Sequence, residues 1–554
     1  MQGSRLVAWC ASLARRARKS FLVQTAVVAA FYLALRPLFS PLLAKLPARV
    51  FAEPVITVGL ARQWYALPVV LACSALPLLF FRRLSWRKLE AWRPLRWVAV
   101  GIAAVFLWEY STYDYNLFFN QAHTVDRWLI IGLSLLVIVH PSFAPPLLAL
   151  ATVMAGQFRH PLVAYTWTDK WLLFQVAILF VAFLHARVLV RAHTATFVFL
   201  ALCLTADGYV ASAVAKLELS PDPLAWVRDN DLRNLVVAAH LNGWLSWLDE
   251  ARLLAALNTV KSLNVPLSAM TLALELGAVL LLVRKRLSII LLAATCVLHV
   301  AIYAASAILF WKWICVDLLL LAFLLRAERR VVARLFSWRT AIASFAVIAA
   351  STWYLKPVGL GWFDTRLNHV FDLRAVGASG KSYRVSRDFM APFDVIFAQN
   401  RFSYLTNERV VVNTFGTTRK LKVAQRIDAA RTNADIKAIR QAFGRNQWHT
   451  KRTRLFDQFI KQFFAQLNRR RTKTMVPRWM AAPHHIQVSA VGPDVYALQE
   501  PVRSIEVWYK EAFYDGDTIR ILRESVVRTI PIPTAPASTD AEEADDESDD
   551  EQAD

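Results

Sequence analysis

The chain has 554 residues, 56% of them hydrophobic, and a mean hydropathy of +0.37. With 20 tryptophans as well, these values exclude an ordinary soluble globular protein. The net charge of +23 excludes an acidic, solvating chain, so a very apolar sequence must still place many Lys and Arg in water.

The N-terminus reads "ARRARKS" before an apolar run over 21–43. That run is long and lacks a small-x-small cleavage site, which reads as an uncleaved first helix rather than a signal peptide. Further apolar segments lie near 64–81, 97–110, 128–151, 171–187, 194–215, 264–283, 287–306, 308–325 and 339–356. Several of them approach or exceed the roughly 20 residues that span a bilayer as a helix. The expected fold is an all-α polytopic membrane helical bundle of about nine spans over residues 1–356, followed by a mixed α/β extramembrane domain.

Lys and Arg set the orientation, because short cytoplasmic loops hold the excess. The clusters are "ARRARKS", "FRRLSWRKLEAWRPLRW" (81–97), "VRKRL" (283–287) and "RAERRVVARLFSWR" (326–339). All four are expected in the cytoplasm of a multi-pass protein of the inner membrane. The ten segments leave an odd number of spans between Arg96 and Arg284, where parity demands an even one. Either 97–110 does not cross or 235–257 does; nine or eleven spans both place the region after Leu355 outside. Four of the five cysteines, Cys73, Cys203, Cys296 and Cys315, fall in predicted spans, and Cys10 precedes them; neither a metal-ligand spacing nor a disulfide framework is visible, and no metal is expected.

After Lys356 the pattern changes. "ERVVVNTFG", "HHIQVSAV", "RSIEVWYKEAFYDG" and "SVVRTIPIP" alternate as strands do, while 433–448 and 451–474 have helical spacing. Leu455, Phe456, Phe459, Ile460, Phe463, Phe464 and Leu467 form one apolar stripe. Residues 357–530 are therefore expected to be a basic, independently folding extracytoplasmic α/β domain. The stretch 531–554 is an acidic, disordered tail. A basic surface outside the cytoplasm suits anionic lipid headgroups of the bilayer, each Lys or Arg contributing about 1 kcal/mol. No nucleic-acid signature is present, and nothing in the sequence names a protein partner.

Ionisable groups inside spans are costly and point to function by default. Lys216 ends the small-residue stretch "DGYVASAVAKL". Glu275 lies within "LALELGAVLLL" and His299 within "TCVLHVAIYAAS". The latter two occupy consecutive antiparallel helices joined by "RKR", at depths that differ by about 4–5 Å at 1.5 Å per residue, so they are expected to meet. A structural clasp between helices is the other reading of such a pair. Asp317 and Lys312 are expected to pair, His140 to cap a kink at Pro141, and His185 to be wet; Glu109, Asp114 and His123 complete the set.

These motifs, with the tryptophan segment "PLAWVRDNDLR" and the upstream "FFNQAHTVDRWLIIGLSLL", resemble the HTTM family, the membrane domain of vitamin K-dependent gamma-carboxylases, over about 60–330. The resemblance implies a reduced quinone as cofactor. It implies that Lys216 is the base that deprotonates it, after which oxygen generates the stronger base used for carboxylation. It also implies that His123 lies near an oxyanion, with Glu275 and His299 completing the catalytic set. The sequence departs from the family at Ser212, Ala213 and Ala215, in the separation of Asn120 from His123, and in its C-terminal domain. Two alternatives stand beside a quinone- or lipid-linked enzyme: a non-catalytic anchor displaying the basic domain, and a transporter, for which no internal repeat is visible.

Overall fold

The computed structural model describes residues 20–44, 46–162, 171–397, 399–488, 490 and 492–533. The first Lys/Arg cluster up to Lys19 and the acidic run from Thr534 lie outside the described residues; the start of the expected disordered tail is instead ordered, with Pro531 ending a strand and the buried Ile532 donating its amide to the Arg503 carbonyl at 2.8 Å.

The N-terminal part is helical throughout. Its principal helices are α1 (Phe21–Ala44), α2 (Leu67–Leu79), α3 (Trp92–Thr112), α4 (Thr124–Val139), α5 (Ala144–Gly156), α6 (Leu172–Val190), α7 (Thr194–Leu217), α8 (Glu250–Gly277), α9 (Lys285–Ser306), α10 (Trp311–Arg326) and α11 (Trp338–Leu355). Among the described residues, five helices are long and apolar enough to cross a membrane: Phe21–Phe39, Leu172–Val190, Thr194–Leu217, Ala251–Leu280 and Lys285–Ser306. Arg329–Leu335 with Trp338–Leu355, bent by 55°, would make a sixth. α6 and α7 are apolar on every side, and such helices belong inside a bundle; both are almost wholly enclosed by their neighbours.

Contacts between turns define the two ends of this body. At one end Glu90 pairs with His193 at 2.5 Å and with Arg334 at 3.1 Å, and Arg187 donates to the Lys88 carbonyl at 2.8 Å. Arg96 donates to the Ile138 carbonyl there at 3.0 Å, and the His193 amide donates to Gln24 at 2.9 Å. The Lys/Arg-rich segments 81–97 and 326–339 thus share one end. At the other, Asp126 accepts from the Ile56 amide at 2.7 Å and Asn116 donates to Gln157 at 3.0 Å.

The segment 128–151, expected as one span, is two helices. At "HPSFAPP" the His140 ring accepts from the Ser142 amide at 3.3 Å, and the chain doubles back. Proline clustered just past a helix end cannot continue it, which explains the reversal. Six principal helices, α3 to α8, then lie between the second and third basic clusters.

The C-terminal region is built on a four-stranded antiparallel sheet of β1 (Leu367–Gly377), β2 (Ser382–Val385), β3 (Val502–Tyr514) and β4 (Ile519–Pro531), ordered β2-β1-β3-β4. Helices α12 (Leu421–Ala429), α13 (Asn433–Phe443) and α14 (Thr450–Arg470) pack around it. The α14 stripe behaves as expected, burying Phe456, Phe459, Ile460, Phe463, Phe464 and Leu467 against the sheet, with Leu455 at its margin. Two expected strands differ. "ERVVVNTFG" contributes only the two-residue strand Arg409–Val410. The described residues of "HHIQVSAV" form no strand in the sheet; Ile486 bridges to Ile308 instead. β1 was not anticipated. The core of this region also takes in Leu117 and Phe118 from the loop between α3 and α4, so the two parts share apolar surface.

Candidate functional site

α7 carries the polar junctions of the helical body. Small residues at Gly208, Ala211, Ser212, Ala213 and Ala215 let neighbours approach its surface closely. Lys216 lies in its last turn and is only 7% exposed, so it does not snorkel to water. Its Nζ donates to both oxygens of Glu275, each at 2.8 Å, and reaches the Ser212 carbonyl at 3.5 Å. The Trp226 ring centroid lies 5.1 Å from the ammonium, a cation–π contact. Trp226 in turn donates through its indole nitrogen to the Trp362 carbonyl at 2.9 Å. A Cβ on Gly361 would stand 2.2 Å from the Ala215 oxygen, and one on Gly359 would stand 2.8 Å from the Ala215 Cβ. The linker "VGLGW" therefore seals the lysine end of α7, and a long side chain at position 215 would have no room.

Glu275 and His299 do not meet; α7 supplies a separate partner to each. Two turns before Lys216, the Tyr209 hydroxyl donates to Asp317 Oδ2 at 2.6 Å and lies 2.9 Å from His299 Nε2. Thr295 reaches the same Asp317 oxygen at 3.0 Å. Trp313 packs on Tyr209 at 5.1 Å, over Gly208, where a Cβ would stand 2.3 Å from the indole. Asp317 consequently does not pair with Lys312. Lys312 pairs with Glu109, whose Oε1 also accepts from Tyr113 at 2.6 Å. Aromatic rings at Trp171 and Trp311 lie 4.6 Å and 5.5 Å from the Lys312 ammonium.

His123 is buried apart from these groups, in the loop ahead of α4 with Asp126 and Arg127 as its charged neighbours. There Arg127 gathers the carbonyls of Ala122, Ser111, Tyr113 and Asp114. His185, expected to be wet, is buried with Nδ1 2.9 Å from the Val181 carbonyl. Three groups escaped the sequence reading. Asp207 is 2% exposed, and its two oxygens accept from Ser351 and Thr352, each at 2.6 Å. An aspartate inside an apolar run was signal enough to find it. Tyr209 was hidden because a tyrosine carries no charge. His484 and His485 were hidden in a stretch that alternates like a strand.

Those two histidines sit on a strap, 480–488, that crosses onto the helical body. Trp108 donates to the Met480 carbonyl at 2.8 Å, the Ala482 amide to Thr112 at 3.0 Å, the Leu309 amide to the His485 carbonyl at 2.7 Å, and the Gln487 amide to the Ala307 carbonyl at 2.9 Å. His484 stacks on Tyr113 at 5.4 Å, and His485 meets Phe310 edge-on at 5.1 Å. Burial, reinforced by Lys473, Lys312 and Arg478, pulls His484 down to about 3; burial and Lys312 pull His485 down to about 4. Both imidazoles are therefore neutral at ordinary pH.

Among the described residues, no group of three His, Cys, Asp or Glu side chains is arranged to hold a metal ion. The Lys216 junction does suit the acid–base part of quinol chemistry. A proton passed from Nζ to the carboxylate 2.8 Å away leaves an amine lone pair and replaces two buried charges by none. No family model, curated protein or solved structure matches the chain.

Proposed function

We propose that the protein is an integral membrane enzyme with an HTTM-like, carboxylase-like core, and that Lys216 is its base. The observation that carries this reading is a lysine enclosed within the bundle and held by a single carboxylate. Glu275 stores the proton, Trp226 presents an aromatic face beside the amine, and the linker glycines exclude water. A reduced quinone, the cofactor implied by the resemblance, would supply an acidic hydroxyl and two electrons; Lys216 would hold that hydroxyl. His299 and His123, remote from Lys216, serve other steps or none.

The basic end of the bundle is cytoplasmic in this reading, and the sheet region lies outside, where its Lys and Arg meet anionic headgroups. Exposed tryptophans support a bilayer between the two ends: Trp97 and Trp338 near the basic end, Trp108, Trp128 and Trp353 near the other. With α4 and α5 counted separately, eleven passes replace the nine favoured from the sequence and leave the topology unchanged. A cytoplasmic reporter signal from fusions after Pro357 would overturn it.

Lys216→Arg tests the chemistry. Arginine can keep the bidentate pair with Glu275 but cannot release a proton at any relevant pH. The detergent-purified wild-type chain is expected to retain a quinone by mass spectrometry and to consume oxygen when given reduced quinone. The variant should insert and fold normally yet consume none. The second reading, a non-catalytic anchor, draws on the fact that every Lys216 donor already has an acceptor; equal behaviour of both proteins would favour it.

A further inference from the structure

Asp317 raises a question that the Lys216 junction does not. Its side chain is 0% exposed, and its partners are the hydroxyls of Tyr209 and Thr295. Among the described residues, no lysine or arginine pairs with it. A bare carboxylate in such surroundings is far too costly to persist, because two hydroxyl dipoles do not offset the loss of hydration. The charge must be cancelled by a proton. A basic atom, His299 Nε2, is reached across the Tyr209 hydroxyl through links of 2.6 Å and 2.9 Å.

We infer that Asp317, Tyr209 and His299 form a proton-binding relay that holds one proton and can carry it at either end. In one state Asp317 is ionised, Tyr209 donates to it, and an imidazolium donates Nε2–H to the Tyr209 oxygen. In the other the carboxylic acid donates to Tyr209, whose own hydrogen turns to a neutral His299 Nε2. Both states are neutral overall and both satisfy every bridging atom. They differ by two hydrogen positions, with no heavy atom moved and no bond other than O–H and N–H made or broken. The two atoms left over, Asp317 Oδ1 and His299 Nδ1, are buried without a hydrogen-bond partner and mark the ends of the chain. A hydroxyl that both donates and accepts is the group such a relay requires, and no other side chain at position 209 would provide it at this reach.

Aromatic rings separate the relay from the strap. His299 packs against Phe310 at 5.1 Å and Trp313 at 5.9 Å, and Phe310 packs on the strap residue His485. The other titratable groups facing the relay are Cys296 on α9, Cys315 on α10, and His485, behind which stands Lys312. Of the two ends, His299 is the one that faces the strap residue His485. The ligand of this site is the proton itself, independent of whether Lys216 deprotonates a quinol.

Infrared difference spectroscopy on the full-length protein in detergent at neutral pH tests the inference. Wild type minus Asp317→Asn reads the carboxylic-acid carbonyl of Asp317; wild type minus His299→Gln reads the imidazolium. The expected result is one of these two signatures in the wild type, shifted in heavy water. His299→Gln should then force the proton onto Asp317 and produce the acid band, which the double variant His299→Gln with Asp317→Asn removes. If His299→Gln fails to fold, Tyr209→Phe cuts the bridge and must leave the acid band as well. Neither signature in the wild type, or no acid band in the folded single variant, would overturn the relay.

Discussion

Two buried carboxylates, one in each part of the molecule, are neutralised in different ways. In the sheet region Glu511 on β3 is fully enclosed, but its partner Arg440 on α13 keeps 20% of its side chain exposed. In the helical body Glu275 and Lys216 are both only 8% exposed. The sheet pair is anchored by a cation that cannot lose its proton and still touches water; the bundle pair is sealed and has a cation that can. Structural neutralisation needs only the first arrangement. The second is the one in which proton transfer is physically available, so the identity of the cation separates a clasp from a candidate site.

Breaking the sealed pair should cost most. Lys216→Ala strands Glu275 in the bundle, with an expected loss of about 3–5 kcal/mol. Lys216→Met combined with Glu275→Leu should recover most of that loss while remaining inactive. Thermal unfolding in detergent reads both, and a single variant as stable as the double would mean that the pair is not sealed.

The matching change in the sheet region should be milder. Arg440→Ala leaves Glu511 beside a gap that water can enter, and about 2 kcal/mol is expected. A loss as large as that of Lys216→Ala would erase the contrast between the two environments.

The seal itself can be probed at Gly361. A methyl group there meets the Ala215 carbonyl and must displace the linker, at about 1–3 kcal/mol and with faster proteolysis near residue 360. Gly132→Ala on α4, where an added Cβ meets nothing within 4 Å, is the control and should be neutral or slightly stabilising. Unchanged proteolysis of Gly361→Ala would show that the linker is not pressed on α7.

The smallest effect is expected from pH at the strap. His484 and His485 have folded values near 3 and 4, below the ordinary value of about 6.5. A depressed histidine means that the unfolded or detached strap binds protons more readily than the docked one. Docking is therefore fully favourable above about pH 6.5 and is lost progressively as pH falls towards 4. Amide hydrogen exchange at 480–488 should rise over that window, before global unfolding, and His484→Gln with His485→Gln should flatten the response. Exchange independent of pH would show that the strap is not held by neutral imidazoles.

Much of this organisation was legible in the residues alone. Apolar run length marked the helical body, the change in periodicity after Lys356 marked the sheet region, and the α14 stripe was read almost residue by residue. Lys216, Glu275 and His299 stood out for one reason: ionisable groups in apolar segments are expensive wherever they end up. Their pairing was a different matter. Depth along two consecutive helices suggested that Glu275 would meet His299, but depth leaves the direction around each helix axis open, and α7 claimed one residue from each side. The crossing of the strap onto Trp108, Thr112 and Leu309 and the linker glycines against Ala215 join residues far apart in sequence. No local pattern records such contacts, because they depend on which surfaces remain unburied once the bundle has packed. Composition and periodicity determine that this chain has helices fit for a membrane and where its costly groups lie; only the tertiary structure decides which of those groups meet.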